Sequence, residues 1–325
     1  FKEANLSGAR LQLYQREIAV LSLLAEKHEP FFIKFIGATD TYPICIITKY
    51  MPNGALRQKL RKGKNITPLF KTITAYDIAR GMATLHSLSI IHRDLKSLNV
   101  LLDKKDRSKI CDFGFSRSIS EFGYKMLPIG TIHWMAPEIL SGVGIYTFKV
   151  DVYAYAMVLC ELVNLTKPFN NVPNDKVKDL VLHSDARPDL PLDLNPELRK
   201  LIVQCWDKDP DVRPSFAEIV RRFESMNLAF DGTDMVEFAN HIKQLNKSIP
   251  IDSKKLRANM LKTGVLPLRE IIDDLSRNGM QETEVDDLWD AVSTLIERPK
   301  LLCRKRYNCQ FSFHIFSILK SYSML

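Results

Sequence analysis

The chain has 325 residues, a net charge of +8 and 46% hydrophobic residues, which suggests roughly two domains with a sizeable core. Six Lys or Arg residues and no acidic residue lie in the range 298–325, so the rest of the chain carries a net charge of only +2. That remainder has no basic excess of the kind that indicates a nucleic-acid-binding protein, and we expect no nucleic-acid partner.

The cysteines show no paired spacing. With no signal segment at the start of the sequence, they indicate reduced thiols and a cytoplasmic location. The six residues are Cys45, Cys111, Cys160, Cys205, Cys303 and Cys309.

The first predicted element is a helix that runs to about Ala25, because apolar residues recur there at helical spacing. Either Asn5 or Ser7 is suited to cap its start. Two short apolar stretches follow at 32–37 and 44–48, and their composition predicts two strands.

A second amphipathic helix is predicted around residues 78–88, from the spacing of Ile78, Met82, Leu85 and Leu88. It leads into the polar stretch His-Arg-Asp-Leu-Lys-Ser-Leu-Asn at 92–99. Two apolar runs, 100–102 and 109–111, then flank a polar turn and predict a β-hairpin.

A hairpin brings its outer ends together, so we expect Asp94 and Asn99 to face Asp112. Two carboxylates and an amide oxygen beside Lys96 are hard oxygen ligands suited to Mg²⁺ and phosphate. His-Arg-Asp alone is catalytic in only about one case in ten, and Asp-Phe-Gly at 112–114 alone is more often a turn. Their combination at this spacing favours a catalytic site.

The stretch 150–163 is apolar apart from Asp151 and Glu161, and at about fourteen residues it predicts a buried core helix too short to span a bilayer. Asp151 opens this helix, so an N-cap is one interpretation of it. Arg213 follows Asp-Pro-Asp-Val, where an exposed turn residue is the simplest interpretation.

Beyond residue 230 the pattern changes. Three or four short amphipathic helices are predicted within 231–299, and we interpret them as a small helical appendage with a packing role. The basic and apolar tail at 300–325 could touch an anionic membrane, but a disordered end is favoured.

Together these motifs resemble the protein-kinase signature: His-Arg-Asp at 92–94, Asp-Phe-Gly at 112–114 and Ala-Pro-Glu at 136–138. Lysine at 96 and threonine at 131 resemble Ser/Thr kinases. Trp-Met-Ala-Pro-Glu at 134–138 resembles both kinase classes and, together with Phe-Ile-Gly-Ala at 35–38, indicates the tyrosine-kinase-like group of Ser/Thr kinases. The resemblance covers about residues 1–228.

The resemblance implies an α+β, two-lobed kinase fold. The kinase domain would occupy 1–230, with a partial N-lobe at 1–50 and a C-lobe at 51–230, before the small all-α segment.

The resemblance also implies the catalytic roles, with ATP and Mg²⁺ as cofactors. Asp94 would orient the substrate hydroxyl and accept its proton, and Lys96 would stabilise the charge on the transferred phosphoryl group. Asn99 and Asp112 would hold Mg²⁺ bridging the nucleotide phosphates.

Nucleotide binding is expected from residues before and beside the signature. Glu17 would be the helix acid that pairs with a lysine, and Thr48 the gatekeeper. Tyr50 and Met51 would form the hinge, and Leu101 would lie beneath the adenine.

Regulatory or structural roles are implied for the following: His92, Arg93, Phe113, Gly114, Thr131, Glu138, Asp151 and Arg213. Arg93 would pair with a phosphorylated residue, for which the available acceptors are Ser116, Ser118, Ser120 and Tyr124. Asp151 would bind the backbone of the loop at 92–99, and we favour a buried ion pair of Arg213 with Glu138 over the exposed turn.

Two parts of the signature are missing. No Gly-x-Gly-x-x-Gly precedes the first helix, and Lys2 lacks the Val-Ala-x-Lys context of the paired lysine. We therefore expect the start of the N-lobe to lie upstream of Phe1 and the chain alone to be inactive.

Two classes of function remain. One is a kinase that acts on a protein with a Ser or Thr acceptor and is activated by an upstream kinase or by itself. The other is a pseudokinase or scaffold that binds partners without catalysis. The presence of Asp94, Lys96, Asn99 and Asp112 favours the first.

Overall fold

The computed structural model describes residues 8–27, 29–39, 45–118, 124–125, 130–142 and 145–247. Several predictions concern residues outside these ranges: the caps Asn5 and Ser7, the acceptor Ser120, the later helices of the appendage and the tail at 300–325.

Helices dominate the described part of the chain. They are α1 (Gly8–Lys27), α2 (Leu56–Lys62), α3 (Pro68–Ser87), α4 (Pro137–Leu140), α5 (Lys149–Asn164), α6 (Asn174–His183), α7 (Pro196–Cys205), α8 (Phe216–Glu224) and α9 (Met235–Lys247). Single 3₁₀ turns cover Ser97–Asn99, Ile132–Trp134 and Pro210–Val212.

The strands are short and pair in antiparallel twos: β1 with β2, β3 with β6, β4 with β5 and β7 with β8. They are β1 (Phe35–Ala38), β2 (Ile46–Thr48), β3 (Ile90–Ile91), β4 (Val100–Leu102), β5 (Ser108–Ile110), β6 (Arg117–Ser118), β7 (Tyr124–Lys125) and β8 (Ile145–Tyr146). The predicted α+β class is confirmed.

The first predicted helix is confirmed as α1, which buries Val20, Leu21 and Leu24 on one face. The strand predicted at 32–37 begins later, at Phe35. The three preceding residues are extended but belong to a different ladder, since the N–H of Ile33 donates to the carbonyl of Ile110 at 3.0 Å. This contact joins the N-terminal part of the chain to the later hairpin.

The predicted hairpin is confirmed, with Val100 opposite Ile110 and Leu102 opposite Ser108. Its second strand is shifted by one residue from the predicted range 109–111. Cys111 lies beyond the strand end, and its N–H donates across to the backbone oxygen of Asn99 at 3.0 Å.

The predicted buried helix is confirmed as α5, in which every residue from Val150 to Leu162 is buried. The N-cap interpretation of Asp151 is wrong. The helix begins two residues earlier, at Lys149, and the N-cap position is Phe148, which makes no side-chain capping bond. Asp151 lies in the first turn and points into the protein, where its partners are described below.

Among the described residues, no helix is both long enough and apolar enough to cross a membrane.

The last described helix, α9, packs onto α3. Phe238 is fully buried, and its ring lies edge-on to Tyr76 at 5.5 Å and to Phe223 at 6.3 Å. His241 Nε2 lies 2.6 Å from an oxygen of Asp77. The apolar face predicted for this helix is therefore buried, while the domain boundary placed at 230 stays a prediction.

We expect Phe238→Ala to lower the free energy of unfolding by about 3–5 kcal/mol, because it removes a buried ring from between two helices. Val236→Ala on the exposed side of α9 is the matched control and should change stability by less than about 0.5 kcal/mol. Urea unfolding measures both. Equal small effects would mean that α9 does not share the core.

Candidate active site

The loop at 92–99 is anchored at its start by one carboxylate from α5. Asp151 accepts the backbone N–H of His92 at 2.8 Å and that of Arg93 at 2.9 Å. It also lies 2.9 Å from Nε2 of His86 on α3. Complete burial raises the pKa of Asp151, but the hydrogen bond and charge of His86 outweigh that effect and leave it below its usual value.

Arg93 explains why the loop needs this anchor. Its φ of 68° is in the left-handed region, which costs free energy for a residue other than glycine. The two hydrogen bonds to Asp151 hold that turn and direct the following residue, Asp94, into the site.

Asp94 is buried and held by three side chains. Nζ of Lys96 donates to one carboxylate oxygen at 2.5 Å, and the hydroxyl of Thr131 donates to the other at 2.9 Å. Lys96 also donates to Thr131 at 2.7 Å, which closes a triangle of three polar groups. Asn99 Nδ2 donates to two oxygens of Asp94, at 2.8 Å to the backbone oxygen and 3.0 Å to Oδ2.

Asp112 is brought beside this group by the hairpin. The bond from Cys111 N–H to the backbone oxygen of Asn99 sets the two chain segments side by side, and Asp112 itself has a φ of 66°. Phe113 is fully buried, with its ring 6.0 Å from Phe32 and 5.3 Å from His92.

The oxygen atoms at this point suit a magnesium ion. Asn99 uses its Nδ2 toward Asp94, and its Oδ1 makes no hydrogen bond within the described residues. Mg²⁺ in nucleotide sites typically takes one or two carboxylates together with phosphate oxygens. In the described part of the chain no group of three or more His, Cys, Asp or Glu residues forms a protein-only metal site.

Four of the residues expected to bind nucleotide lie at the end of β2, just after it, and on β4, and we call this set the nucleotide edge. Thr48 ends β2, Tyr50 is exposed and Met51 is buried. Leu101 is half-buried on β4, where it bridges to Ala55.

Glu17 is buried on α1, one turn after Leu13. A Cβ added to Gly114 would lie 3.5 Å from the backbone oxygen of Leu13, so this face of α1 meets the Asp-Phe-Gly segment. The turn of α1 before Glu17 therefore lies beside the Asp-Phe-Gly segment.

The expected pair of Arg213 and Glu138 is present. The guanidinium donates to both carboxylate oxygens, at 2.7 and 2.8 Å, and its carbon lies 5.2 Å above the ring of Tyr153. Arg213 is 1% exposed, so the exposed-turn interpretation is wrong. This pair connects α4, which follows Thr131 and carries Glu138, to the end of the 3₁₀ turn Pro210–Val212, where Arg213 lies.

Two of the candidate phosphorylation sites are less accessible than their sequence suggests. Ser116 and Ser118 are both buried, and the backbone of Tyr124 pairs with Tyr146 in the β7–β8 ladder. Arg93 lies with its guanidinium 4.6 Å above the ring of Tyr146.

Sequence reasoning missed two site residues, His86 and Glu161. Glu161 is fully buried on α5 and accepts hydrogen bonds from Ser97 and Trp134. A signal was available, because an acid in an otherwise apolar buried helix must find polar partners. His86 carried no such signal, since its partner Asp151 is 65 residues away.

Comparison with known proteins gives one consistent result. A family model described as protein tyrosine and serine/threonine kinase matches residues 4–223. A probable serine/threonine-protein kinase of Dictyostelium discoideum is 40% identical over 223 residues, which cover 66% of this chain and 16% of that protein.

Two proteins of Arabidopsis thaliana are also similar. The serine/threonine/tyrosine-protein kinase HT1 is 40% identical over 216 residues, covering 66% of this chain and 54% of that protein. The serine/threonine-protein kinase STY17 is 33% identical over 227 residues, covering 69% and 39%. The chain spans between about a sixth and just over half the length of these three relatives.

We expect Asp151→Asn to cost about 3 kcal/mol or more of unfolding free energy at pH 7, because it removes the charged partner of a buried network. The depressed pKa of Asp151 gives the wild type stability above about pH 4 that is lost as pH falls through the folded-state pKa. The Asn variant should lack that part of the acid loss.

Urea unfolding at a series of pH values measures this difference. Asp179→Asn, at an exposed position of α6, is the matched control and should follow the wild-type curve. An Asp151→Asn curve parallel to the wild type would contradict the role given to the carboxylate.

Proposed function

Because the chain belongs to the protein tyrosine and serine/threonine kinase family, we propose that it transfers the γ-phosphoryl group of ATP to a serine or threonine hydroxyl of a protein. The observation that supports this most is the triangle of Asp94, Lys96 and Thr131. It sets a carboxylate and an ammonium group side by side, as transfer to a hydroxyl requires.

Asp94 is the residue we assign to the acceptor. Its carboxylate would orient the incoming hydroxyl and accept its proton, while Lys96 would stabilise negative charge on the transferred group. Thr131 bonds to both of them, so a third group supports the ion pair of Lys96 with Asp94. Asn99 also donates to Asp94, at the same Oδ2 that Lys96 bonds.

Asn99 and Asp112 are the residues we assign to Mg²⁺. A magnesium ion there would neutralise phosphate charge and orient the nucleotide. For ATP itself we propose Glu17 on α1 together with Thr48, Tyr50, Met51 and Leu101 of the nucleotide edge.

Serine and threonine are favoured as acceptors over tyrosine. Lys96 and Thr131 are the residues on which this assignment depends, and two of the three relatives described above are named as serine/threonine kinases. The third is named for all three acceptors, so tyrosine belongs in the test.

Regulation by phosphorylation is also proposed, with Arg93 as the phosphate partner. The burial of Ser116 and Ser118 means that this part of the chain must shift before either is modified by an upstream kinase or by the protein itself. A cytoplasmic location is proposed from the unpaired spacing of the cysteines.

In the full-length protein, Asp94→Asn should lower phosphorylation at least about 10²-fold while Mg-ATP still binds, because the variant loses the proton acceptor and keeps the metal ligands. Asp112→Asn should weaken nucleotide binding in Mg²⁺ and leave binding in EDTA unchanged.

Peptides that differ only in a Ser, Thr or Tyr acceptor measure transfer, and calorimetry measures nucleotide binding. Asp175→Asn, exposed on α6, is the control and should behave as the wild type. Normal turnover by Asp94→Asn would overturn the assignment, and preferential transfer to Tyr would overturn the substrate class.

A further inference from the structure

Glu161 lies deep inside α5 and gathers donors from two other parts of the chain. Its Oε1 accepts the hydroxyl of Ser97 at 2.5 Å, and its Oε2 accepts the indole N–H of Trp134 at 3.0 Å. Nη1 of Arg57 on α2 lies 3.8 Å from Oε1, within ion-pair range but beyond a hydrogen bond. No atom of Glu161 reaches solvent.

The two hydrogen-bonded partners each belong to a 3₁₀ turn that delivers a site residue. Ser97 opens the turn 97–99, which directly follows Lys96 and ends at Asn99. Trp134 closes the turn 132–134, which directly follows Thr131, and its backbone N–H donates to the carbonyl of Thr131 at 2.9 Å.

Residues in or next to both turns therefore form hydrogen bonds with Asp94. Lys96 and Asn99 bond it from the first turn, and Thr131 bonds it from the second. Ser97 also donates its backbone N–H to Oε2 at 3.4 Å, so both turns bond to the same carboxyl group and Glu161 ties them together.

Burial makes the hydrogen bonds to Glu161 important. Burial raises the pKa of Glu161 to about 7, against the lowering effect of the bonds from Ser97 and Trp134. A buried carboxyl group is costly unless its oxygens are bonded, so loss of either side-chain donor removes a hydrogen bond from a buried oxygen that water cannot replace.

We propose that Glu161 is a positioning residue for phosphoryl transfer, which holds the Lys96–Asn99 turn and the Thr131–Trp134 turn at the separation that the Asp94 triangle needs. The inference rests on the proposed function for its kinetic consequence and on the contacts alone for its structural one. Asp151 anchors the start of the loop, and Glu161, ten residues along the same helix, anchors its other end at Ser97.

The test removes one donor at a time in the full-length protein. Ser97→Ala and Trp134→Phe each delete a single hydrogen bond and keep most of the side-chain volume. We expect each to lower kcat about tenfold or more, because small displacements of reacting groups are costly. The KM for Mg-ATP should stay within about twofold, since neither residue lies on the nucleotide edge.

Variants at the acid itself separate hydrogen bonding from charge. Glu161→Gln can still bond both partners and should retain most of kcat, whereas Glu161→Leu can bond neither and should lose it. In the Glu161→Leu background, Ser97→Ala should have no further effect, because the two changes break the same contact. Cys160→Ala, the buried neighbour on α5, is the control and should match the wild type.

Hydrogen exchange gives a readout that does not depend on turnover. Ser97→Ala should raise exchange not only in residues 94–102 but also in residues 130–136. Trp134→Phe should likewise raise exchange in both ranges. Exchange that rises only around the substituted residue, or unchanged kcat in folded Ser97→Ala and Trp134→Phe variants, would overturn the inference. If the wild type binds Mg-ATP but transfers no phosphate, the proposed function fails. The hydrogen-exchange result alone then decides whether Glu161 holds the two turns together.

Discussion

The site depends on one carboxylate that meets two backbone N–H groups. Asp151 holds His92 and Arg93 at the point where the chain turns through a left-handed residue. Without an acceptor there, two buried N–H groups would lose their partners, and nothing would offset the free-energy cost of the left-handed turn. The direction in which Asp94 leaves the turn follows from this contact. The acid can do this because it lies in the part of α5 that is buried from Val150 to Leu162.

A second constraint joins the Asp-Phe-Gly segment to the helices. The residues before β1 pair with Ile110, and the ring of Phe113 sits between Phe32 and His92. α3 can approach this hairpin only where it has no side chain. A Cβ added to Gly81 would lie 2.7 Å from Cδ1 of Ile110 and 2.9 Å from Cβ of Phe31. Glycine at 81 thus lets one helix support the strand that carries Asp112.

The sequence predicted what is local and missed what is distant. Asp94, Lys96 and Asn99 lie within six residues, and the hairpin that adds Asp112 is set by alternating apolar and turn residues, so both were accessible from patterns. The N-cap interpretation of Asp151 failed because capping preference is a local rule, and the partners 58 and 59 residues away overrode it. His86 was missed for the same reason, whereas Glu161 carried a signal, as an acid in an apolar helix, but its partners could not be named from the sequence. The pair of Arg213 and Glu138, 75 residues apart, was reached only through resemblance to a family.

Two acids inside an otherwise apolar helix are a costly arrangement. Taking an ionised carboxylate out of water costs several kcal/mol even after the surroundings relax, and apolar side chains of similar volume would fill α5 at less cost. Stability alone therefore does not account for Asp151 or Glu161. A carboxylate does supply an acceptor for donors that arrive from different directions, which no apolar side chain offers. Asp151 uses this for two backbone groups and Glu161 for a hydroxyl and an indole. The rate of a group transfer falls steeply when reacting groups are misplaced by about 1 Å. The two buried acids lower the stability of α5, and in return they hold Asp94 and its neighbours in the positions that transfer needs.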